Sequence, residues 1–271
     1  MRGVFSAGVL DVFLERGFDP FDLAVGVSAG ACNLASHIAG QHGRNRRCYM
    51  ELMTSREFID PRRLVRGRSM LDLDWLWARL AEREPLQVDL IATRPIEFVI
   101  VATARRTGRA IYLTPGAADM NPALKASSAL PVFFRRRLTV CGEELVDGGV
   151  ADPIPVEEAY RRGARRIVVL RSRPAGAVKK DGASERLMAW LLRREPALAS
   201  AVRGTAAAYQ RAVAFLATPP GDCRIVQVAP PAPLATTRTS QDLAALEHDY
   251  ALGRGLADAA MLQWAQLSPT P

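Results

Sequence analysis

The stretch Leu23-Ala24-Val25-Gly26-Val27-Ser28-Ala29-Gly30-Ala31 decides the architecture. Leu23 to Val27 is a short apolar run, and small residues follow at helical spacing from Ala29 to Gly40. This pattern predicts a buried strand that enters a helix through a turn at Ser28. Gly26-Val27-Ser28-Ala29-Gly30 is also a G-x-S-x-G pentapeptide. At a strand–turn–helix junction that pattern holds a serine hydroxyl above the end of a sheet, facing the free N–H groups of the next helix. A side chain at Gly26 or Gly30 is expected to meet neighbouring backbone in so tight a turn. The plainer alternative makes Ser28 a helix N-cap, which leaves both glycines unexplained.

The same alternation continues outward. Ser6 to Arg16 reads as a helix closed by Gly17, Ile96 to Thr103 as the clearest buried strand, and Ala110 to Leu113 as its neighbour. Ala118 to Ala129 reads as a helix stopping at Pro131. Val156 to Arg162 followed by Ile167 to Leu170 repeats the helix–strand unit, Ser172 to Ser184 reads as a flexible loop, and Ile225 to Val228 as a last strand. Helices are expected over Glu185 to Arg194 and Ala197 to Leu216, and a final one over Ser240 to Gln266. The expected class is α/β, a mostly parallel central sheet between layers of helices. Residues 1-229 are expected to form the main domain. Residues 230-271, a connector with Pro230, Pro231 and Pro233 plus the last helix, are expected to pack on it.

Composition narrows the class of function. Of 271 residues, 49% are apolar and 24% charged, which excludes disorder, collagen-like sequence and a disulfide scaffold. Cys32, Cys48, Cys141 and Cys223 are widely spaced, with no C-x-x-C pair, so reduced thiols are expected and a structural zinc site is not. No apolar run reaches the roughly 18 residues of a membrane span. Val4 to Leu14 faintly resembles a signal-peptide core, but Asp11 and Glu15 interrupt it, and a cytoplasmic location is expected. The net charge of +8 is carried by arginine. It suits an anionic surface, and without an aromatic-interleaved basic stretch nucleic acid is not the expected partner.

A serine nucleophile needs a base. His37 and His42 lie on or after the elbow helix, directed away from Ser28, and His248 sits between Glu247 and Asp249 on what reads as a solvated face. A Ser-His-Asp triad through His248 stays open. The other candidate is Asp147 in Leu145-Val146-Asp147-Gly148-Gly149, an aspartate at the end of a short apolar run. Local sequence favours a hairpin turn there. As a base, Asp147 would need burial to raise its pKa from about 3.9.

Taken together these residues resemble the patatin-like phospholipase family. The Gly26 to Ala31 elbow resembles the family's nucleophile block, and Ala126-Ser127-Ser128-Ala129-Leu130-Pro131 its A-S-x-A-x-P block. Asp147-Gly148-Gly149 with Asp152-Pro153-Ile154-Pro155 is similar to its D-G-[GA] block and following proline segment. The resemblance spans about residues 1–170. It implies a three-layer α/β/α fold and a serine acyl-hydrolase acting on phospholipids or related glycerolipids. It also implies a Ser28 nucleophile, an Asp147 proton acceptor, and neither cofactor nor metal. The family's glycine-rich oxyanion loop, G-G-G-x-R-G, has only its last three positions in Met1-Arg2-Gly3. By that resemblance Arg2, Gly3 and Ala29 are the oxyanion candidates. An upstream start codon is expected, with the earlier glycines and a first strand before residue 1. The chain as written is then expected to be weakly active and to lack a strand beside the elbow. A catalytically silent lipid-binding relative is the second alternative.

Met70, Leu71, Leu73, Trp75, Leu76 and Trp77 follow the basic stretch Arg62 to Arg68. The combination suits a transient membrane contact, and equally a lid or core helix packed on the body with its arginines solvated.

Overall fold

The computed structural model describes residues 1–179 and 182–267. The chain opens with α1 (Val4–Glu15), β1 (Leu23–Val27) and α2 (Ala29–Ile38). Next come α3 (Arg44–Arg47), α4 (Arg62–Val65), α5 (Leu73–Arg83), α6 (Val88–Thr93) and the adjacent strands β2 (Glu97–Ala104) and β3 (Ala110–Leu113). After α7 (Ala117–Ser127) come β4 (Leu138–Val140), β5 (Glu143–Asp147), α8 (Val156–Arg161) and β6 (Arg166–Leu170). The chain ends with α9 (Ala183–Leu191), α10 (Pro196–Ala217), β7 (Arg224–Val228) and α11 (Leu243–Gln266).

The layers follow from the pleat of the central strands. Ile100, Ala102 and Leu145 pack with Ala31, Ala35, Ala123 and Leu124 of α2 and α7. Val146, one residue on, points the other way, into a cluster with Leu198 and Val202 of α10. Helices thus cover both faces, giving the three-layer α/β/α arrangement. The expectation of a mostly parallel sheet is corrected, since its ladders are of both kinds. β1 and β2 run parallel, as do β6 and β7, whereas β3 and β5 pair antiparallel with β2, and β4 antiparallel with β5. The antiparallel pairs β2–β3 and β4–β5 are hairpins, and connections of a few residues permit nothing else. In the β4–β5 turn Cys141 and Gly142 both take positive φ, 50° and 79°. The three-residue β4 escaped the sequence reading.

Among the described residues β1 pairs with β2 only and β6 with β7 only, and β1 and β6 line one cavity. The apolar stretch at Val4 is α1, and its hydrophobicity serves the core: Phe5, Val9 and Phe13 are buried against α11 and β7. α1 and α11 meet backbone to backbone at two glycines. A Cβ at Gly253 would lie 2.0 Å from the Phe5 carbonyl, and one at Gly8 would lie 2.2 Å from that of Tyr250. The basic region from Arg44 to Arg68 contributes to the core through Tyr49, Met50, Leu52, Phe58 and Ile59. Arg44 is itself buried, its guanidinium donating to the Glu84 carbonyl and to Ser36 Oγ. All four cysteines are free thiols. The expected loop from Ser172 carries no helix or strand through Lys179, and its positions 180 and 181 lie outside the described residues.

Candidate active site

Strand register brings the two ends of the motif set together. Val27 pairs with Val101 on one side of β2, and Asp147 pairs with Ala102 on the other. Ser28, the next residue after Val27, therefore emerges level with Ala102, across β2 from Asp147, although 119 residues separate them. Ser28 Oγ donates a hydrogen bond of 2.7 Å to Asp147 Oδ2. Ser28 has φ 52° and ψ −127°. Such a backbone is costly for a residue with a Cβ and persists only where its surroundings enforce it. The enforcement is visible: Ser28 N–H donates to Ser127 Oγ at 2.8 Å, and Ser127 Oγ donates to the Val101 carbonyl at 2.6 Å. Ser127 thus ties the elbow to β2 through the end of α7.

Gly26 has a steric reason to be glycine, since a Cβ there would lie 2.5 Å from Ala31 Cα. Gly30 does not: a Cβ there meets nothing within 4 Å, and the expectation of a clash at that position is corrected. Its place at the start of α2 leaves it facing open space, whereas Gly26 faces the helix backbone. Gly148 packs against β2, where a Cβ would lie 2.1 Å from the Val101 carbonyl. Gly149 supplies an N–H to Asp147 Oδ1 at 2.8 Å. Thr103, unremarked in the sequence beyond ending a strand, is buried and donates to the Asp147 carbonyl at 2.9 Å.

Asp147 is 3% exposed. Burial pushes its carboxyl above the ordinary carboxylate range, opposed by the hydrogen bonds from Ser28 and Gly149 and by the charge of Arg238. That is the direction a carboxylate base needs. Among the described residues no histidine bonds to Ser28. His37 is buried within α2, with burial lowering its pKa. His42 pairs with Glu15 at 2.7 Å, and the largely exposed His248 contacts Asp249 at 3.2 Å.

Arg2, Gly3 and Ala29 converge on the elbow. A Cβ on Gly3 would lie 2.9 Å from Ala29 Cβ and 2.3 Å from Tyr49 Oη, so the chain before α1 is pressed against the start of α2. Arg2, Gly3, Ser28, Ala29, Gly30 and Asp147 all line one cavity of about 550 Å³. Among the described residues, no group of three or more His, Cys, Asp or Glu side chains is gathered as for a metal ion.

Residues 1–160 match the family model described as patatin-like phospholipase. Residues 195–268 match a second, described as a domain of unknown function, DUF6363. The chain is similar to the uncharacterized protein YjjU of Escherichia coli K12, 38% identical over 258 residues, covering 93% of this chain and 72% of that protein. An uncharacterized NTE family protein of Mycobacterium tuberculosis H37Rv is 30% identical over 162 residues, 57% of this chain and 41% of that protein. The chain thus spans less than half the length of the mycobacterial relative. By its match over residues 1–160 and its likeness to YjjU along nearly its whole length, the chain belongs to the patatin-like phospholipase family.

Proposed function

We propose that the protein is a serine acyl-hydrolase that cleaves acyl esters of phospholipids or related glycerolipids through Ser28 and Asp147. The observation that carries this reading is the 2.7 Å hydrogen bond from the strained Ser28 hydroxyl to a buried carboxylate. Asp147 takes the hydroxyl proton as Ser28 Oγ bonds to the ester carbonyl carbon, and the carbonyl oxygen becomes an oxyanion. The oxyanion collapses, the C–O bond to the alcohol breaks, and the proton on Asp147 passes to the leaving oxygen. Asp147 then deprotonates water, which attacks the acyl-enzyme and releases the fatty acid, restoring Ser28. Amides at the start of α2, from Ala29 on, and the backbone at Arg2 and Gly3 are the groups assigned to the oxyanion. Each such donor is typically worth about 3–4 kcal/mol in acyl transfer.

Membrane access is assigned to α9 rather than to the Trp75 region. Leu71, Leu73 and Leu76 are core residues, with Trp75 and Trp77 packed against them. On α9, by contrast, Leu187, Trp190 and Leu191 form one face, 58%, 57% and 44% exposed. Exposed Arg186, Arg193 and Arg194 flank it, and Met188 of the same helix lines the cavity. An apolar face rimmed by arginine suits an anionic lipid surface. Among the described residues no helix is long and apolar enough to cross a membrane, and a cytoplasmic, membrane-peripheral location is the proposal that fits.

The test is fatty-acid release from anionic phospholipid vesicles. Wild type is expected to release it and Ser28→Ala to release none. The double variant Leu187→Ser, Trp190→Ser is expected to lose vesicle binding and vesicle hydrolysis together. Undiminished release from Ser28→Ala would overturn the assignment.

A further inference from the structure

Among the described residues, the cavity that holds Ser28 and Asp147 gathers more cationic than anionic side chains. Arg2, Arg171, Arg173, Lys179 and Arg238 share its wall, against two carboxylates among the described residues, Asp147 and Glu185. Asp147 is engaged by Ser28 and Gly149, and Glu185 stands 3.8 Å from Lys179. Among the described residues Arg2, Arg173 and Arg238 form no ion pair.

Arg171 is the sharpest case. It is 4% exposed, and its guanidinium bonds only to neutral groups: Ala175 O, Gln227 Oε1 and Tyr209 Oη. Its Nε is buried with no partner among the described residues. A buried guanidinium without a carboxylate is expensive, and gathering further cations beside it adds repulsion.

The strain registers on the neighbours. Burial, with the charges of Arg173 and Arg238, brings Arg2 down to about 10. Burial, with Arg238, Arg173 and Arg2 opposing Glu185, brings Lys179 down to about 8. An anion that enters the cavity removes both penalties. A phosphate monoester, with up to two negative charges and several acceptor oxygens, matches a set of guanidinium forks better than a single carboxylate does.

We infer that Arg173, Lys179 and Arg238, together with Arg2 and the buried Arg171, form a subsite for a phosphate group on the acyl ester that Ser28 attacks. The subsite selects headgroups with net negative charge over zwitterionic ones. The inference rests on the hydrolase reading for the identity of the ester, but binding alone tests it.

The experiment uses the full chain with Ser28→Ala, which blocks turnover and leaves the cations in place. Calorimetric titrations compare dihexanoyl phosphatidic acid, dihexanoyl phosphatidylcholine and inorganic phosphate. Phosphatidic acid is expected to bind at least about tenfold more tightly than either of the others. Adding Arg173→Gln with Arg238→Gln is expected to erase that preference to within about twofold. The melting temperature should hold or rise, because repulsion is relieved. Lys179→Gln alone, as the milder variant, should shrink the preference in the same direction.

Equal affinity for the two lipids, or a preference that survives the double variant, would overturn the subsite. So would inorganic phosphate binding as tightly as phosphatidic acid, since the ligand would then be free phosphate rather than a headgroup. Failure of the hydrolase reading looks different: wild type releases no fatty acid, while the charge preference in binding persists.

Discussion

Replacing Gly26 and Gly30 separately by alanine divides the pentapeptide into a position that must be glycine and one that need not be. A Cβ at Gly26 would lie 2.5 Å from Ala31 Cα and 2.9 Å from Ala31 N, where ordinary contact begins at 3.4 Å. β1 and α2 must therefore separate by about 0.9 Å, the shortfall between 2.5 and 3.4 Å. Overpacking costs typically 1–3 kcal/mol, and with backbone as the obstacle about 3 kcal/mol is expected. At roughly 2–4 °C per kcal/mol for a chain of this size, the melting temperature falls by about 6–12 °C. The same displacement moves Ser28 Oγ relative to Asp147, and a misplacement of about 1 Å costs on the order of a hundredfold in rate. Gly30→Ala meets nothing within 4 Å and lies in the first turn of α2, where alanine gains about 0.5–1 kcal/mol over glycine. Its melting temperature should hold or rise, and its labelling by a small fluorophosphonate should stay within a few-fold of wild type. Thermal melting and labelling rates, measured side by side, decide the matter. Wild-type behaviour from Gly26→Ala, or equal damage from both variants, would refute the strand–helix contact on which the elbow depends.

Further expectations concern charge. Asp147→Asn should slow labelling by about 10²- to 10⁴-fold, the usual worth of a general base. It should nonetheless leave the melting temperature at pH 7 unchanged or higher. Because burial raises the folded-state pKa of Asp147, its ionisation destabilises the fold at high pH and ceases to do so as pH falls below the unfolded value, so any gain should shrink in acid. The acidic limb of the pH–rate profile should lie above the ordinary aspartate value of about 3.9. Arg238→Gln, which removes a charge that holds Asp147 down, should move that limb higher still, and a downward shift would contradict the placement. Glu15 is held down to about 2, chiefly by its hydrogen bonds from Arg254 of α11 at 2.8 Å. A depressed carboxylate stabilises above its unfolded pKa of about 4.3 and loses that contribution as pH falls toward the folded value. The pair is about one-third exposed, so Glu15→Gln should cost at most about 1 kcal/mol at pH 7 and progressively less below pH ~4, read by thermal melts across pH.

The elbow was legible because its signal is local: an apolar run, a glycine-flanked serine and a small-residue helix sit within twenty residues. Asp147 was half legible. Glu143-Glu144-Leu145-Val146-Asp147 carries too few apolar residues to announce a strand, and its neighbourhood with Ser28 arises from the register of β2, which no local pattern encodes. The two glycines of the pentapeptide look alike in sequence, yet only Gly26 faces the backbone of α2. The Trp75 stretch and α9 show a different limit. An amphipathic helix has the same periodicity whether its apolar face meets the core or solvent, and only the tertiary contacts assigned Leu73 inward and Trp190 outward. The cationic wall was illegible for the same reason, since Arg2, Arg173, Lys179 and Arg238 come from three separate segments without regular structure.

The central claim is that Asp147, not a histidine, activates Ser28. Intact-protein and peptide mass spectrometry after fluorophosphonate treatment tests it most directly, on wild type, Ser28→Ala, Asp147→Asn and His248→Ala. The account predicts one adduct on the Ser28 peptide, at the wild-type rate in His248→Ala, at least about a hundredfold slower in Asp147→Asn, and none in Ser28→Ala. An adduct lost in His248→Ala but retained in Asp147→Asn, or carried by another residue, would contradict it.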